Sequence, residues 1–285
     1  GLAPLKIKSS NLKGIEYEMP VASAQVKSCL LLAGLNADSP TTIIEPQKTR
    51  NHTELMLEAM SADIIVRRNQ IIISKSKLKS IDINVPGDIS SAAYLMVLAT
   101  ILKDSYIVLK NVGVNPTRTG IIDILKICGA KITMLNKRTS GQEPVSDMLI
   151  QSTDNIKPFV IGGDMIPRLI DEIPILAVLA CFADGQSIIK DAKELKVKES
   201  NRIDSTVDML KKMGARIEAT DDGMIINGSG ALMGGVEIDA QLDHRLAMSA
   251  AIAGAVSLDG VKIKNAEIAD VSYPGFYKIF ERGDQ

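Results

Sequence analysis

The sequence is poor in aromatic residues: its 285 residues include no tryptophan, four phenylalanines and five tyrosines. A surface that stacks nucleic-acid bases needs aromatic side chains, so we do not expect such a surface here. The formal net charge of −1 also argues against a general nucleic-acid binder, which needs an excess of basic residues. Any basic cluster must therefore be local, as small anionic substrates would require.

Cysteine and histidine are also scarce. The three cysteines, Cys29, Cys128 and Cys181, each lie in an apolar stretch, and their spacing is not that of metal ligands. We predict three buried thiols in a reducing compartment, which indicates the cytoplasm. With only His52 and His244, a histidine-based metal site is not expected. No run of 18 apolar residues and no signal peptide is visible, so no membrane partner is expected.

Three segments share one pattern, at 56–66, 124–134 and 209–219. Each reads as an amphipathic helix that ends at small residues and continues into a β-branched strand. Upstream of each lies an apolar helix that leads through a turn into a strand, and a fourth such pair covers 246–266. The apolar helices are predicted to be buried. The sequence therefore predicts an α/β fold of repeated units with buried helices, at a spacing too long for a solenoid.

Two short strands and one change of composition complete the predicted organisation. Strands such as "QIIIS" at 70–74 and "GMIING" at 223–228 follow turn residues and predict hairpins that close each unit. The composition changes near 80–88, which predicts a domain boundary between 1–84 and 85–285. The chain begins with "GLAPLKIKSS", without methionine and within a strand-like segment, which indicates a fragment of a longer protein.

Polar clusters recur at the predicted helix starts, where unpaired N–H groups and a partial positive charge suit phosphate and carboxylate. The segment "VKESNR" at 197–202 is one of them. If it is helical, Lys198 and Arg202 share a face and repel each other by a few tenths of a kcal/mol. An anion bound between these cations, with Arg50 and Arg245 nearby, would account for the arrangement.

Each candidate residue also has a simpler structural explanation when it is taken alone. Ser23 and Ser90 are predicted to be helix N-caps. Arg50 fits a solvated loop charge equally well, and Asp171 fits a carboxylate that favours its helix N-terminus. His244 fits a structural hydrogen-bonding role. None of these residues by itself identifies a function.

Together and in this order, the motifs resemble the 5-enolpyruvylshikimate-3-phosphate synthase family. They are "PVASAQVKSCLLLAGL", "TRNHTELML", "VPGDISSAAY", "LIDEIPILAVLA", "LKVKESNRI" and "LDHRLAMSAAIAG", and they span essentially the whole chain. The "SAQ" form resembles the branch known for glyphosate-tolerant members. The resemblance implies two similar domains, each of three α/β units with buried parallel helices (an inside-out barrel), and an active site in the cleft between them.

The resemblance also implies a reaction. The family transfers the enolpyruvyl group of phosphoenolpyruvate to the 5-hydroxyl of shikimate 3-phosphate and releases phosphate, without metal or organic cofactor. This 3-phosphoshikimate 1-carboxyvinyltransferase step belongs to the shikimate pathway of aromatic amino acid biosynthesis. The two phosphorylated metabolites are the implied partners.

The resemblance assigns roles to particular residues. Those implied for shikimate 3-phosphate are Ser23, Ala24, Gln25, Arg50, Asp171 and Lys198, and those implied for phosphoenolpyruvate are Gln25, Arg202 and Arg245. Ala24 would contribute only its backbone. Asp171 would accept the proton of the attacking hydroxyl, and Glu199 would transfer a proton at the methylene carbon, with Lys198 beside them in the catalytic set.

The chain departs from the family pattern in two places. Nothing corresponds to the family's amino-terminal segment, which carries an essential lysine and arginines of the phosphoenolpyruvate site. Residues 1–84 resemble the last part of the first domain, and 85–285 resemble the second domain. Val271 and Ser272 stand where some relatives carry a lysine. We therefore expect the chain alone to be inactive or nearly so, with the missing segment as a candidate partner chain.

Two other functions stay open from the sequence. One is UDP-N-acetylglucosamine enolpyruvyl transferase, which shares the fold and the donor, although "SAQVKS" and "VKESNR" favour the shikimate enzyme. The other is a non-catalytic fragment that binds anionic metabolites and needs a partner chain. A plastid origin is a further alternative to the cytoplasm, because a transit peptide would lie upstream of this sequence.

Overall fold

The computed structural model describes residues 4–281 of the chain. The chain divides into two units, each with its own apolar core. Unit 1 comprises Gly1–Val85 and Thr139–Glu143, and unit 2 comprises Pro86–Arg138 and Pro144–Gln285. Within 4–281, no helix combines the length and the apolar character needed to cross a membrane.

The described part of unit 1 contains one four-stranded sheet and two helices. In chain order these are β1 (Glu16–Glu18), α1 (Ala24–Gly34), β2 (Thr41–Ile44), α2 (His52–Ala59), β3 (Ile64–Arg67) and β4 (Gln70–Ile73). The strand order is β1-β2-β4-β3, with β1 and β2 parallel and the other pairs antiparallel. Alternate side chains of β2 and β4 are buried, because successive residues of a strand point to opposite faces. Ile43, Ile71 and Ile73 thus share a core with Leu31 of α1 and Leu57 of α2.

Unit 2 contains five helices and nine strands in its described part. They are α3 (Ile89–Ile101), β5 (Tyr106–Gly113), α4 (Gly120–Ile127), β6 (Lys131–Ser140), β7 (Glu143–Gln151), β8 (Val160–Ile161), α5 (Ile173–Cys181), β9 (Gln186–Ile189), α6 (Arg202–Lys212), β10 (Arg216–Ala219), β11 (Met224–Asn227), β12 (Val236–Asp239), α7 (His244–Ala255) and β13 (Val261–Lys264). Short 3₁₀ turns cover Gly163–Arg168, Ile170–Glu172, Lys193–Val197, Ala266–Val271 and Phe276–Phe280. The tip of the β6–β7 hairpin belongs to unit 1.

The strand order of unit 1 recurs in unit 2. One sheet has the order β8-β9-β11-β10, with β8 and β9 parallel, and therefore repeats β1-β2-β4-β3. A second sheet has the order β5-β7-β6. The repeated pattern would place one more strand parallel to β5, and at that place a single parallel bridge joins Gly87 to Val112 of β5. The parallel pair β12-β13 corresponds to the first two strands of the pattern, which in unit 1 are β1 and β2. The predicted repeated units are confirmed, as are the hairpins built on β4 and β11.

Each repeat of the helix–strand pattern is called a module from here on. The first helix of each module was predicted to be buried, which is correct in unit 2 and wrong in unit 1. Helices α3, α5 and α7 pack against one another, and all nine residues of α5 are buried. Helix α1 buries only Lys27, Leu31 and Gly34, because unit 1 supplies just one sheet and α2 to cover it. Val26 and Leu32 are 40% and 54% exposed.

The prediction that all three cysteines are buried fails at one position, because α1 is incompletely covered. Cys128 and Cys181 are buried free thiols, and burial raises the pKa of each to about 12. Cys29 is an exposed free thiol, so the prediction of three buried thiols is wrong at this position. It lies on the same uncovered side of α1 as Leu32, and its exposure follows from the lack of packing on that side among the described residues rather than from the local sequence.

The C-terminal part of unit 2 is anchored by a cluster of aromatic rings. Phe276 is fully buried and makes edge-to-face contacts with Tyr94 of α3 and with Tyr273, Tyr277 and Phe280. The ring centroids lie between 5.3 and 5.8 Å from that of Phe276. The cluster contains most of the few aromatic residues in the chain, so it joins the last turns to α3 through a single centre.

Replacing Phe276 with alanine tests this anchor. We expect Phe276→Ala to lower the free energy of unfolding of unit 2 by about 3–5 kcal/mol, because it leaves a cavity and removes the ring contacts. Leu258→Ala, at a residue 71% exposed, should change that free energy by less than about 0.5 kcal/mol. Urea unfolding measures both variants, and equal effects would contradict the proposed anchor.

Candidate active site

Helix starts in unit 2 carry the polar groups of the candidate site. Asp88, Asn201 and Asp243 occupy the N-cap positions of α3, α6 and α7, and each side chain accepts a hydrogen bond from a backbone N–H of the first turn. Aspartate and asparagine are preferred at this position because their oxygens satisfy N–H groups that the helix leaves unpaired. The turn Ile170–Glu172 leads directly into α5, and Asp171 lies within it.

Arg202, the first residue of α6, is the centre of a carboxylate network. Its Nε lies 2.8 Å from Asp243 Oδ2 and its Nη2 lies 3.3 Å from Asp243 Oδ1. Its Nη1 also lies 3.5 Å from Asp171 Oδ1, and its Nη2 bonds Glu199. Arg202 is 1% exposed and Asp243 is 0% exposed. Burial raises the pKa of Asp243, but the hydrogen bonds and charge of Arg202 outweigh it, so that pKa lies below its ordinary value.

Arg245, in the first turn of α7, approaches Asp171 from a second direction. Its Nη2 lies 3.6 Å from Asp171 Oδ2, and its Nη1 lies 3.4 Å from the Asp171 carbonyl oxygen. Burial lowers the pKa of Arg245, but Tyr94 and Asp171 outweigh this, and the pKa is raised. Asp171 therefore lies between two guanidinium groups, which stabilise its negative charge. Glu199, whose side chain is 48% exposed, stands at the open side of the network.

A second polar chain lies directly beside Asp171. Ser90 donates a hydrogen bond to Glu172, and Arg118 Nη2 donates to Ser90 Oγ at 2.6 Å and to Asp88 Oδ1 at 3.1 Å. Burial raises the pKa of Glu172 even though Arg118 lowers it. Ser90 was predicted to be an N-cap, and this is wrong: Asp88 caps α3, and Ser90 lies inside the helix with its hydroxyl in this chain.

The remaining predicted site residues belong to unit 1. Ser23 is the N-cap of α1 and accepts a hydrogen bond from Val26 N at 3.3 Å, as predicted. Ala24 and Gln25 are the first two residues of α1. Arg50 is half-buried and comes just before the start of α2. These four residues thus lie at helix starts, as the motif positions indicated.

The helical reading of 197–202 is wrong. Helix α6 begins only at Arg202, because Asn201 caps it, and Lys198 has an extended backbone after a 3₁₀ turn. Lys198 Nζ lies 2.5 Å from Glu194 Oε1, whereas Arg202 is paired with other carboxylates. The two cations therefore do not share a helix face, and carboxylates of the protein itself offset their charges. No ligand is needed to explain why they are tolerated.

The structure thus brings together Asp171, Glu199, Arg202 and Arg245 in unit 2. Sequence reasoning gave no role to Asp243, which pairs with Arg202, or to Glu172, which accepts the hydrogen bond of Ser90 beside Asp171. Both carry a visible signal: each is an acidic residue directly before a helix that is apolar nearly throughout. Glu172 and Asp243 are also buried, and a buried acid needs a partner from elsewhere in the chain.

The fold has counterparts among solved structures. The chain superposes on an EPSP synthase from Acinetobacter baumannii with a TM-score of 0.88 and 44% identity, over 94% of this chain and 62% of that one. The enolpyruvyl transferase NikO from Streptomyces tendae gives a TM-score of 0.72 at 16% identity, which shows the fold alone. The molecule therefore has the α/β fold of enolpyruvyl transferases.

Sequence comparison identifies the family. Residues 1–280 match the family described as EPSP synthase (3-phosphoshikimate 1-carboxyvinyltransferase), and the chain belongs to this family. The 3-phosphoshikimate 1-carboxyvinyltransferase of Thermoanaerobacter sp. (strain X514) is 52% identical over 98% of this chain and 66% of its own length. That of Bacillus subtilis (strain 168) is 49% identical over 96% and 64%. The chain thus spans about two thirds of the length of these curated relatives.

The buried Glu172 predicts a pH dependence of stability. Its native pKa is raised above the ordinary value of about 4.3, so between the two values the unfolded chain loses a proton that the native state keeps. Stability then falls as pH rises through this window. We expect Glu172→Gln, which retains an acceptor for Ser90, to gain stability relative to wild type as pH increases from about 4.3.

Urea unfolding of both proteins from about pH 4 to pH 7 measures this difference. The exposed Glu218 provides the matched control, and Glu218→Gln should show no such trend relative to wild type. A stability difference between Glu172→Gln and wild type that does not change with pH, or that shrinks as pH rises, would contradict the raised pKa.

Proposed function

We propose that this chain is the larger part of an enzyme that transfers the enolpyruvyl group of phosphoenolpyruvate to the 5-hydroxyl of shikimate 3-phosphate and releases phosphate. The observation that carries the proposal is the position of Asp171, with its carboxylate oxygens 3.5 Å from Arg202 and 3.6 Å from Arg245. The relatives named above, EPSP synthases and 3-phosphoshikimate 1-carboxyvinyltransferases, support the shikimate reaction over that of the UDP-N-acetylglucosamine enzyme.

In this proposal, the unit 2 residues divide the chemistry between them. Asp171 accepts the proton of the 5-hydroxyl while that oxygen bonds to the substituted carbon of phosphoenolpyruvate, and Glu199 delivers a proton to the methylene carbon. Glu199 then takes a proton back from that carbon as the carbon–oxygen bond to phosphate breaks. The phosphate leaves with the electron pair of that bond, and the proton that Asp171 accepted is released with it. Arg202 and Arg245 bind the donor and stabilise the charge of the departing phosphate. Lys198, with an extended backbone outside α6, contacts shikimate 3-phosphate.

The unit 1 residues supply the acceptor contacts in this proposal. Ser23, Ala24 and Gln25 are at the start of α1, where N–H groups and the helix dipole favour an anion, and Arg50 binds the phosphate of shikimate 3-phosphate. We assign 1–84 to the first enolpyruvyl transferase domain and 85–285 to the second. The buried thiols Cys128 and Cys181 favour a reducing, cytoplasmic setting.

We also propose that catalysis requires a polypeptide equivalent to the remaining third of the relatives. Helix α1 supports this: Val26 and Leu32 leave apolar surface exposed, while the equivalent helices α3, α5 and α7 are almost completely covered. A further module packed on α1 would bury this surface, as the neighbouring modules of unit 2 do for one another. Whether that polypeptide is a separate chain is decided by the mass of the purified protein.

Titration with shikimate 3-phosphate tests the acceptor site. We expect calorimetric binding by this chain, and we expect Arg50→Ala to weaken it by at least about tenfold, because a charge-assisted hydrogen bond to phosphate contributes roughly 1.5–3 kcal/mol. The exposed Arg67 provides a matched control, and Arg67→Ala should bind like wild type. Unchanged affinity in Arg50→Ala would contradict its assignment, and a folded wild type that does not bind would favour an incomplete fragment.

Phosphate release in the presence of both substrates tests catalysis. We expect no release above background from this chain alone and measurable release after addition of a separately produced amino-terminal third from the Thermoanaerobacter relative. In the complemented enzyme, Asp171→Asn should lower the rate by about 10²–10⁴-fold, as expected for loss of a general base. Asp208→Asn, on the exposed side of α6, is the control. Full activity of the chain alone, or of Asp171→Asn, would overturn these assignments.

A further inference from the structure

Unit 1 contains a buried ionic cluster that the proposed reaction does not use. Lys27 Nζ lies 3.1 Å from Glu45 Oε1 and 2.6 Å from Glu54 Oε1. The side chains of Lys27, Glu45 and Glu54 are at most 1%, 2% and 6% exposed. Buried ion pairs add little net stability, because removing charges from water offsets their attraction, and apolar residues of similar volume often stabilise as well. A gain in fold stability therefore does not by itself explain this cluster.

The cluster joins the two helix starts that carry the acceptor contacts. Lys27 is in the first turns of α1, just after Ser23 and Gln25, and Glu54 is in the first turn of α2. A second contact repeats the connection, since Ser28 Oγ and Thr53 Oγ1 lie 2.6 Å apart. The starts of α1 and α2 are thus held together by one ion pair and one hydroxyl pair between neighbouring positions.

The same cluster holds the segment before Arg50. Glu45, which follows the last residue of β2, accepts hydrogen bonds from the Thr49 backbone N–H at 3.2 Å and from the Thr49 hydroxyl. Thr49 is buried and immediately precedes Arg50. Through Glu45, Lys27 fixes the residue before Arg50, and through Glu54 it fixes the helix turn after Arg50.

We propose that Lys27 is a positioning residue for the phosphate site of unit 1. It holds Arg50 and the start of α1 in the arrangement that binds the phosphate group of the acceptor, without touching the ligand itself. The inference rests on the proposed function, in which Arg50 binds that phosphate. Preorganised cations bind tightly because less ordering is required when the ligand arrives, so loss of the cluster weakens phosphate binding specifically.

The test removes the ammonium group and keeps an unbranched apolar side chain of similar length. In Lys27→Met we expect affinity for shikimate 3-phosphate to fall about tenfold in calorimetric titration, while affinity for shikimate, which lacks the phosphate, changes less than about twofold. A merely structural role would weaken both ligands equally. The exposed Lys77 provides the matched control, and Lys77→Met should bind both ligands like wild type.

A double variant that also removes one of the buried negative charges gives a second test of the positioning role. In Lys27→Met the carboxylates Glu45 and Glu54 remain without this cation, so adding Glu54→Gln removes one buried charge and should restore part of the lost affinity. If Lys27→Met does not fold, Glu54→Gln alone carries the test, and it should bind shikimate 3-phosphate about threefold more weakly than wild type. Unchanged affinity in the folded variants overturns the proposal, as does an equal loss for both ligands.

Amide hydrogen exchange of the ligand-free chain separates this proposal from the proposed function. We expect Lys27→Met to raise exchange in 45–54 and 23–28, with unit 2 unchanged. If folded wild type does not bind shikimate 3-phosphate, the result favours an incomplete fragment, and exchange alone decides the positioning role. A local rise then supports it, and no rise, or a uniform rise throughout unit 1, overturns it.

Discussion

The candidate site of unit 2 depends on the burial of Arg202 against Asp243. A guanidinium and a carboxylate at 1% and 0% exposure tolerate that position only because each satisfies the other at two points. This pairing fixes the start of α6 relative to the start of α7, since Asp243 also caps α7. Arg202 Nη1 then faces Asp171, and Nη2 also bonds Glu199, so one buried pair sets the direction of the acids that we assign to catalysis.

Adjacent acids at the start of α5 have opposite environments. Asp171 faces two guanidinium groups, whereas Glu172 is buried with the Ser90 hydroxyl as its hydrogen-bond donor, and burial raises its pKa. The two residues are adjacent in one 3₁₀ turn, and their side chains point in different directions, so neighbours in sequence reach different surroundings. Pairs of acids with contrasting environments are a common feature of acid–base sites, because the environment of each acid sets its role.

The elements of the fold were largely predictable from sequence, because hydrophobic periodicity is a local property. The repeated helix–strand pattern and the hairpin at β11 follow from the spacing of apolar residues and turn residues alone. The exposure of Cys29 was not predictable, because burial depends on which modules cover α1. The start of α6 at Arg202 was missed because the capping side chain of Asn201, rather than the charge pattern, decides where the helix begins.

The candidate site shows the same division between local and long-range information. The motifs located Asp171, Glu199, Arg202 and Arg245, since residues at helix starts are visible in sequence. Which side chains pair with one another was not readable from the sequence, because Asp243 meets Arg202 across 41 positions and, beside the site, Ser90 meets Glu172 across 82. Repetition of one module explains this, since it places successive helix starts together whatever their separation along the chain. The repeated module sets where the helix starts lie. Buried ion pairs such as Arg202–Asp243 and Lys27–Glu54 then fix which side chains face the solvent at these helix starts.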